Sequence, residues 1–166
     1  MKFLMHHDLR HHLYLRVLLI VYFVSLLFFL ALNIELELFR FGLTPSALKG
    51  NLLGNEELYI RAKDLTTLVT EIHISLFVYP LALLTTLSTL VHLKVSDTLK
   101  VAATIASTVF IFMDVVGVLL VRFVSPHAAW IKLIGFWGFE VSMILMVLMV
   151  LIYLLGKPQG HPPRHG

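Results

Sequence analysis

The stretch that decides the fold covers residues 65–93, LTTLVTEIHISLFVYPLALLTTLSTLVHL. It is long enough and apolar enough to cross a bilayer, yet it carries Glu71, His73, Pro80 and His92. Ionisable groups at membrane depth are energetically costly, and they mark a functional site whose partners lie elsewhere in the protein. The segment therefore predicts a membrane span that contributes side chains to a site.

One side of this predicted helix is polar. With about 100° of rotation per residue, a set of residues falls within a stripe roughly 80° wide. The stripe consists of Thr66, Thr70, His73, Phe77, Pro80, Leu84 and Ser88. We expect the stripe to face protein rather than lipid. Along the same axis His92 lies about 28 Å from His73, so the two imidazoles are expected near opposite membrane surfaces.

The composition places the whole chain in the membrane as one domain. Of its 166 residues, 58% are hydrophobic and only 14% are charged, whereas a soluble domain needs a more polar surface. Cysteine is absent, which excludes cysteine-ligated iron–sulfur clusters, thiolate zinc sites, c-type haem and disulfides. A metal ion or haem would be held by imidazole, thioether or oxygen donors. The basic residues are scattered, so the expected partner is the lipid bilayer and not nucleic acid.

Four apolar segments of spanning length predict an all-α, integral membrane, antiparallel four-helix bundle. The expected spans are 12–33, 65–93, 99–124 and 128–155, with an outer loop over 34–64 and a tail over 156–166 that is disordered by composition. Within the loop, Thr44-Pro45 predicts a short helical turn over 45–49. Four spans place both termini on one side, and a slight excess of lysine and arginine there predicts that both are cytoplasmic.

Three predicted spans each send an ionisable side chain into the outer half of the bundle. By helical rise, His73 and Asp114 lie about 10–14 Å from the outer ends of their spans, and Glu140 lies about 18–20 Å from the outer end of its span. Such a set could bind a cation, relay protons, or hydrogen-bond a quinone or the edge of a haem. Glu71 lies about 160° around the helix from His73, so the two cannot face the same cavity. The alternative is that Asp114 and Glu140 are neutral or hydrogen-bonded to each other and only stabilise the packing of the helices.

A b-type haem in a helical bundle needs two axial ligands on facing helices at one depth. The candidate partners are His11 and His12 for His92 at the cytoplasmic end, and His127, Met113 or Met143 for His73 at the outer end. The cytoplasmic pair is easier to build, because His127 lies shallower than His73 by about 10 Å. In the alternative, His92 only caps the C-terminus of its helix.

The N-terminal segment 6–12 could hold a metal ion at the surface. If this segment is helical, His7 and His11 are four residues apart and present two imidazoles on one face. The alternative is a polar start of the first span, in which the amphipathic histidine rings lie among lipid headgroups.

Several short motifs carry a resemblance to a known family. They are Gly54-Asn55-Glu56-Glu57, Lys63, residues 71–77 (EIHISLF), Asp114 and Ser125-Pro126. Over residues 40–155 the chain resembles a family of small, four-span bacterial membrane proteins without an assigned activity, whose pattern has a G-N-E-E loop and H-x-H-L-F in the second span. The resemblance implies a bacterial inner-membrane protein that works beside respiratory cytochromes, with His73 and Asp114 as positions of interest. Ser75 stands in place of the second histidine of that pattern, which weakens a two-histidine metal or haem site at this depth.

These observations lead to three hypotheses for the function. In the first, the chain is a redox-associated inner-membrane subunit in which His73, Asp114 and Glu140 form a buried site for haem b, a metal ion, a quinone or a proton path. It would act with other subunits of a respiratory complex or as a homo-oligomer, and not as an enzyme on its own. In the second, it is a structural or assembly subunit whose polar residues fix the helix register. In the third, which has less support because the sequence shows no inverted repeat, it forms a small transporter or channel as an oligomer.

Overall fold

The computed structural model describes residues 13–56, 59–93 and 95–156. Within these ranges the chain is helical and contains no β-sheet. Its helices are α1 (Leu13–Arg40), α2 (Pro45–Leu53), α3 (Leu65–Leu90), α4 (Asp97–Phe123) and α5 (Ala129–Leu155), with a 3₁₀ turn at Pro126–Ala128. All except α2 are long and apolar enough to cross a membrane, which confirms the predicted all-α bundle of four membrane helices. The predicted disordered tail lies outside the described residues from residue 157 onward.

The four long helices alternate in direction, so α1 begins on the membrane side where α5 ends. We call this side the terminal side, and we call the side that carries residues 41–64 the loop side. On the terminal side, Arg16 donates to the carbonyl oxygen of Leu155 at 3.3 Å. On the loop side, Arg122 donates to the carbonyl oxygen of the fully buried Leu52 at 3.1 Å. Helix α2 is therefore fastened across the loop-side end of the bundle.

Side chains that cap first turns explain where two of the helices begin. Asp64 Oδ2 accepts from a first-turn N–H of α3 at 3.1 Å. Thr44 Oγ1 accepts from Ala47 N at 3.2 Å, and Pro45 occupies the first turn of α2. In both cases the cap satisfies an N–H group that has no partner within the helix. The predicted turn over 45–49 is thus the start of a helix that continues to Leu53.

The first helix is longer than the predicted span. The expected end of that span is residue 33, whereas α1 continues to Arg40. The physical reason is that Asn33 and Glu37, one helical turn apart, both face the bundle and find partners there. The connection to the next membrane helix therefore begins at Phe41 and not at residue 34.

The most extensive helix contact is that between α4 and α5. Gly135 lies against the backbone of Met113 and Asp114, and a Cβ at Gly117 would lie 2.6 Å from the backbone of Lys132. Small residues allow two helix backbones to approach this closely. In contrast, α1 packs mainly on α5, and α3 packs mainly on α4 and α5. As a result the backbones of α1 and α3 stay apart and leave a cleft between them, and the two helices are joined by side chains, such as Tyr22 with Thr85 and Asn33 with Tyr79.

The polar stripe of α3 does not face the bundle. All of its residues, including His73, are exposed on the surface of the chain, and Phe77 is 67% exposed. The bundle instead buries the opposite side of α3, which carries Leu68, Tyr79 and Leu83. The prediction that the stripe faces protein is wrong for the single chain, because these side chains on the other side of the helix fill the core.

Candidate functional site

A buried lysine between two carboxylates is the central feature of the loop-side half of the bundle. Nζ of Lys132 in α5 lies 2.9 Å from Asp114 Oδ1 in α4 and donates to Glu37 Oε1 in α1. The side chain of Lys132 is only 2% exposed. A buried charge is tolerated only when it is paired in this way. We refer to Glu37, Asp114 and Lys132 as the ion triad; it joins three membrane helices.

Aromatic rings enclose the ammonium group of the triad. The ring centroids of Phe41 and Phe136 lie 5.0 and 4.9 Å from Lys132 Nζ. At these distances the face of an aromatic ring attracts a cation. Phe41 follows the end of α1 and Phe136 lies one turn beyond Lys132 in α5, so residues from two parts of the chain shield the charge.

The antiparallel packing of α4 and α5 explains why Asp114 meets Lys132. Asp114 lies nine residues before the end of α4, and Lys132 lies in the first turn of α5. Gly135 has no side chain to hold the Asp114 backbone away, and a Cβ in its place would overlap that backbone. The glycine therefore helps to fix the level at which the carboxylate meets the lysine.

A second polar group lies one helical turn deeper in the bundle. Asn33, four residues before Glu37 in α1, donates from Nδ2 to Glu140 Oε1 at 2.5 Å and to Tyr79 Oη at 3.1 Å. Glu140 is fully buried, and its Oε2 has no hydrogen-bond partner among the described residues. Since Tyr79 accepts the bond from Asn33, its own O–H can donate elsewhere. We refer to these residues as the Asn33 group; with the ion triad, it brings together side chains from all four membrane helices.

A third set of charged residues lies at the loop-side end. Glu71 Oε2 of α3 lies 2.7 Å from Lys63 Nζ, and Glu71 Oε1 lies 3.6 Å from Arg40 Nε. Lys63 Nζ also lies 3.9 Å from the ring centroid of Phe41. Because Phe41 is close to both Lys63 and Lys132, this surface cluster and the buried triad share one aromatic ring.

The cleft between α1 and α3 gives access to these groups. It has a volume of about 160 Å³. Its lining includes Asp114 and Lys132, with Glu71 toward the loop side and Asn33 and Tyr79 toward the membrane interior. Arg40, Ser75 and apolar residues of α1, α3 and α4 also line the cleft. Because the backbones of α1 and α3 stay apart, the cleft lies between two membrane helices, and Asp114 and Lys132 form its nearly buried floor.

The structure brings together some of the side chains that the sequence singled out, but not all. Asp114 and Glu140 are in the buried polar site, and Glu71 lines the cleft. His73 is exposed on the other side of α3, as its angular separation from Glu71 requires. The predicted convergence of His73 with the two carboxylates is therefore wrong. The side chain that α3 contributes at this place is Tyr79, because α3 turns its polar stripe outward.

The predicted outer haem ligands do not face each other. His73 and His127 are both exposed, and His127 lies in the 3₁₀ turn at the loop-side end of the bundle. Met143 is fully buried in the apolar core. Among the described residues no group of three or more histidine, aspartate and glutamate side chains is arranged to hold a metal ion.

The candidate ligands of the terminal side fall partly outside the described residues. His92 follows the end of α3 and is half-buried. Its candidate partner His12, and the metal site predicted at His7 and His11, lie in the first twelve residues, which the structure does not describe. A haem between His92 and His12 and a metal ion at His7 and His11 therefore stay predictions.

The sequence pattern did not single out Asn33, Glu37, Tyr79 or Lys132. Glu37 and Lys132 resemble the charges that flank membrane spans, and such charges are ordinarily taken as topology signals. Two signals nevertheless point to them. Asn33 and Glu37 are four residues apart and therefore lie on one helix face. Lys132 lies inside a predicted span whose other charged residue is Glu140, and a charge at such a position indicates a partner.

Comparison with known proteins agrees with this architecture. A family model described as a transmembrane helical domain, Aq_1264_TM, matches residues 42–161, which are 120 of the 166 residues. The match covers α2 to α5 and agrees with the expectation of a small multi-span membrane-protein family. No curated protein and no solved structure matches the chain. The chain is a multi-pass membrane protein that belongs to the Aq_1264_TM family of transmembrane helical domains.

Proposed function

We propose that the chain is a redox-associated membrane subunit that binds the head group of a quinone in the cleft between α1 and α3 and exchanges protons with it. The observation that carries the proposal is the ion triad, which lies at the floor of a cleft between two membrane helices. A ligand that is dissolved in lipid but has a polar head group fits such a place.

The size of the cleft favours a head group with a single ring. Its volume of about 160 Å³ is similar to that of an engineered cavity of about 150 Å³ that binds benzene. Haem is larger and needs axial ligands, which the exposed His73 and His127 do not offer to this cleft. The apolar walls would hold the quinone ring, and the gap between α1 and α3 would let its apolar tail extend into lipid.

The polar groups of the cleft are of the kinds that a quinone uses. The two carbonyl oxygens of a quinone accept hydrogen bonds, and the cleft offers the ammonium of Lys132 and the hydroxyl of Tyr79 as donors. Reduction to the quinol adds two electrons and two protons, one proton at each oxygen. The electrons would come from a redox cofactor of a partner subunit. One proton would pass through Lys132, which lies beside Glu37 and Asp114, and the other through Tyr79.

The proposal includes a location and partners. The chain would lie in a bacterial inner membrane with both termini in the cytoplasm, and it would work beside the subunits of a respiratory complex. Support for this orientation comes from the lysine and arginine residues that flank the terminal-side ends of the helices. The cleft would then open in the outer half of the membrane.

A second candidate function is that of a structural or assembly subunit. The observation that favours it is that the ion triad and the Asn33 group join all four membrane helices. The same side chains could fix the helix register and carry no chemistry. A transporter or channel formed by an oligomer has less support, since toward the terminal side of Glu140 the interior of the chain is an apolar cluster.

Equilibrium binding of a short-chain quinone to the purified chain in lipid nanodiscs tests the proposal. Tyr79→Phe keeps the ring and removes one hydroxyl donor, and the loss of a hydrogen bond worth about 1 kcal/mol weakens binding about fivefold. His73→Phe is the matched control. It changes an exposed residue of the same helix on the side away from the cleft, so the affinity for quinone should stay unchanged.

The melting temperatures of the unliganded variants distinguish the quinone proposal from the structural candidate. Saturable quinone binding that Tyr79→Phe weakens, with an unchanged melting temperature, supports the proposed function. If the wild-type chain shows no saturable binding, or if both variants lose it equally, the quinone proposal fails. A lower melting temperature of Tyr79→Phe with unchanged quinone affinity would favour the structural candidate.

A further inference from the structure

The least apolar membrane helix is largely exposed, which is the reverse of what contact with lipid favours. Among the four spans α3 has the lowest mean hydropathy, yet only 22% of its most apolar segment is buried, against 44% for α5. Helix α1 is also mostly exposed, but it is the most apolar of the four. Lipid is therefore a suitable neighbour for α1, whereas α3 calls for a protein neighbour.

The unfavourable exposure of α3 is concentrated on its polar stripe. His73 lies about 12 Å from the start of the helix, and its imidazole is exposed and unpaired within the described part of the chain. Pro80 has no N–H, so the carbonyl oxygen of Leu76 lacks its usual helical donor. By contrast, the hydroxyls of Thr70 and Ser88 already bond to backbone carbonyls of α3. His73 is thus the side chain on this face that most needs a protein partner.

We propose that the stripe is the contact surface between two copies of this chain, related by a two-fold axis along the membrane normal. Two copies inserted in the same direction bring residues of equal depth together, so that polar residues meet polar residues at each level. A neutral imidazole has one N–H donor and one acceptor nitrogen. His73 of one protomer can therefore donate to the partner's His73, which gives each ring one hydrogen-bond partner in a membrane that offers no water.

The spacing of the stripe suits the parallel packing of two identical helices. From Thr66 to Leu84 its residues are separated alternately by four and three positions, which is the spacing of the seam in a parallel coiled coil. Phe77 lies in the middle of the seam and would meet the partner's Phe77. The smaller Thr70 and Pro80 on either side allow the two backbones to approach. A different subunit would need a matching seam of its own, whereas a second copy has it by identity.

The dimer contact is separate from the cleft. Glu71 and Tyr79 line the cleft and lie about 160° and 120° around α3 from His73. Pairing through the stripe therefore leaves the cleft open between α1 and α3. The dimer and the quinone function stand independently, and the failure of one leaves the other intact.

Single cysteines test the contact directly, because the chain contains none. Phe77→Cys places a thiol on the stripe and keeps His73. Ile74→Cys and Phe112→Cys are matched controls at residues that are 53% and 59% exposed; Ile74 lies about 100° around α3 from His73, and Phe112 lies on α4. A disulfide requires Cα atoms within about 7 Å. On oxidation in native membranes we expect Phe77→Cys to give a species of twice the 18.9 kDa monomer mass, while both controls stay monomeric.

Energy transfer between labelled chains in lipid vesicles tests the role of the imidazole without any cysteine on the stripe. His73→Leu removes the interhelical hydrogen bond, and we expect it to weaken dimerisation about threefold. Phe112→Leu should leave dimerisation unchanged. Equal cross-linking at the stripe and at the controls, cross-linking of Phe77→Cys only to a different protein, or dimerisation that does not respond to His73→Leu would overturn the proposal.

Discussion

The two halves of the bundle are held together by different forces. In the terminal-side half the interior is mainly an apolar cluster that includes Leu26, Val150 and Leu154, and the hydroxyls of the buried Thr86 and Thr89 bond to the backbone of their own helix. In the loop-side half the interior contains the ion triad and the Asn33 group. Lipid tails are as apolar as such a cluster, so apolar packing alone discriminates weakly between helix arrangements, whereas a buried polar group accepts few partners. The terminal-side half thus contributes packing, and the loop-side half determines which helix surfaces meet.

The largest expected loss of stability is that of Lys132→Met, which would destabilise the loop-side half. The substitution leaves Glu37 and Asp114 buried without their cation, and removing one partner of a buried ion pair costs about 3–5 kcal/mol. Unfolding of the purified chain by a denaturing detergent in mixed micelles measures the change in the free energy of unfolding. Lys49→Met, at a half-buried lysine of α2, is the control and should cost about 0.5 kcal/mol or less. Equal costs at the two lysines would show that the triad does not hold this half together.

A smaller loss is expected from Gly135→Ala. The added methyl group would overlap the backbone of Asp114 and push α4 away from α5, and overpacking of this kind costs about 1–3 kcal/mol. Gly50→Ala is the matched control, because a Cβ there would only touch the Cβ of Asn55 at 3.8 Å. The same detergent unfolding measures both variants. If Gly135→Ala is as stable as Gly50→Ala, the close approach of α4 and α5 does not determine the position of the triad.

Glu140→Gln tests whether Glu140 takes part in proton transfer or only stabilises the loop-side half. The amide keeps an oxygen that can accept from Asn33 and removes only the ionisable group, so stability should change by about 1 kcal/mol or less. If Glu140, which shares Asn33 as a hydrogen-bond partner with Tyr79, supplies the proton that passes through Tyr79, quinone-dependent proton uptake by the assembled complex should fall about 10²-fold or more. Proton uptake and the melting temperature are measured on the same preparation. Full proton uptake in this variant would remove Glu140 from the chemistry.

The smallest effect is expected at the surface cluster. Lys63→Gln removes the ion pair with Glu71, in which both side chains are 16% exposed. Because Arg40 remains 3.6 Å from Glu71 as a second cation, we expect a cost no greater than the upper end of the about 0.2–1 kcal/mol that solvent-exposed pairs contribute. The difference between this variant and the wild type should shrink as salt rises from about 0.05 to 1 M, because salt screens charges that reach solvent. The difference caused by Lys132→Met should stay constant over the same range. A Lys63→Gln effect that is independent of salt would show that the cluster is as shielded as the triad.

The membrane helices could be predicted from the sequence because their signals are local. The length of each apolar run sets the spans, and Thr44-Pro45 marks a helix start through a bond to a residue three positions away. The sequence also predicted that Asp114 and Glu140 face the interior of the bundle, because both lie deep within predicted spans. For these features the neighbours in sequence are the neighbours in space.

The partners of the carboxylates could not be predicted, because they depend on how each helix is rotated and paired. Lys132 meets Asp114 only because Gly135 lets α4 and α5 approach, which is a contact between distant parts of the chain. The rule that polar residues face protein assigned His73 to the interior. In the single chain the residue of α3 that faces the interior at this place is Tyr79. If a second copy covers the stripe, His73 faces protein as the rule predicts.

The ring of Phe41 connects the aqueous edge of the protein to its buried charge. One cation near the ring, Lys63, belongs to the surface cluster, and the other, Lys132, belongs to the triad. A soluble domain that rested on the loop and drew Lys63 away would alter the electric field at Lys132 without entering the hydrocarbon layer. A single aromatic side chain is thus the shared neighbour of one lysine at the loop-side end and one lysine inside the bundle.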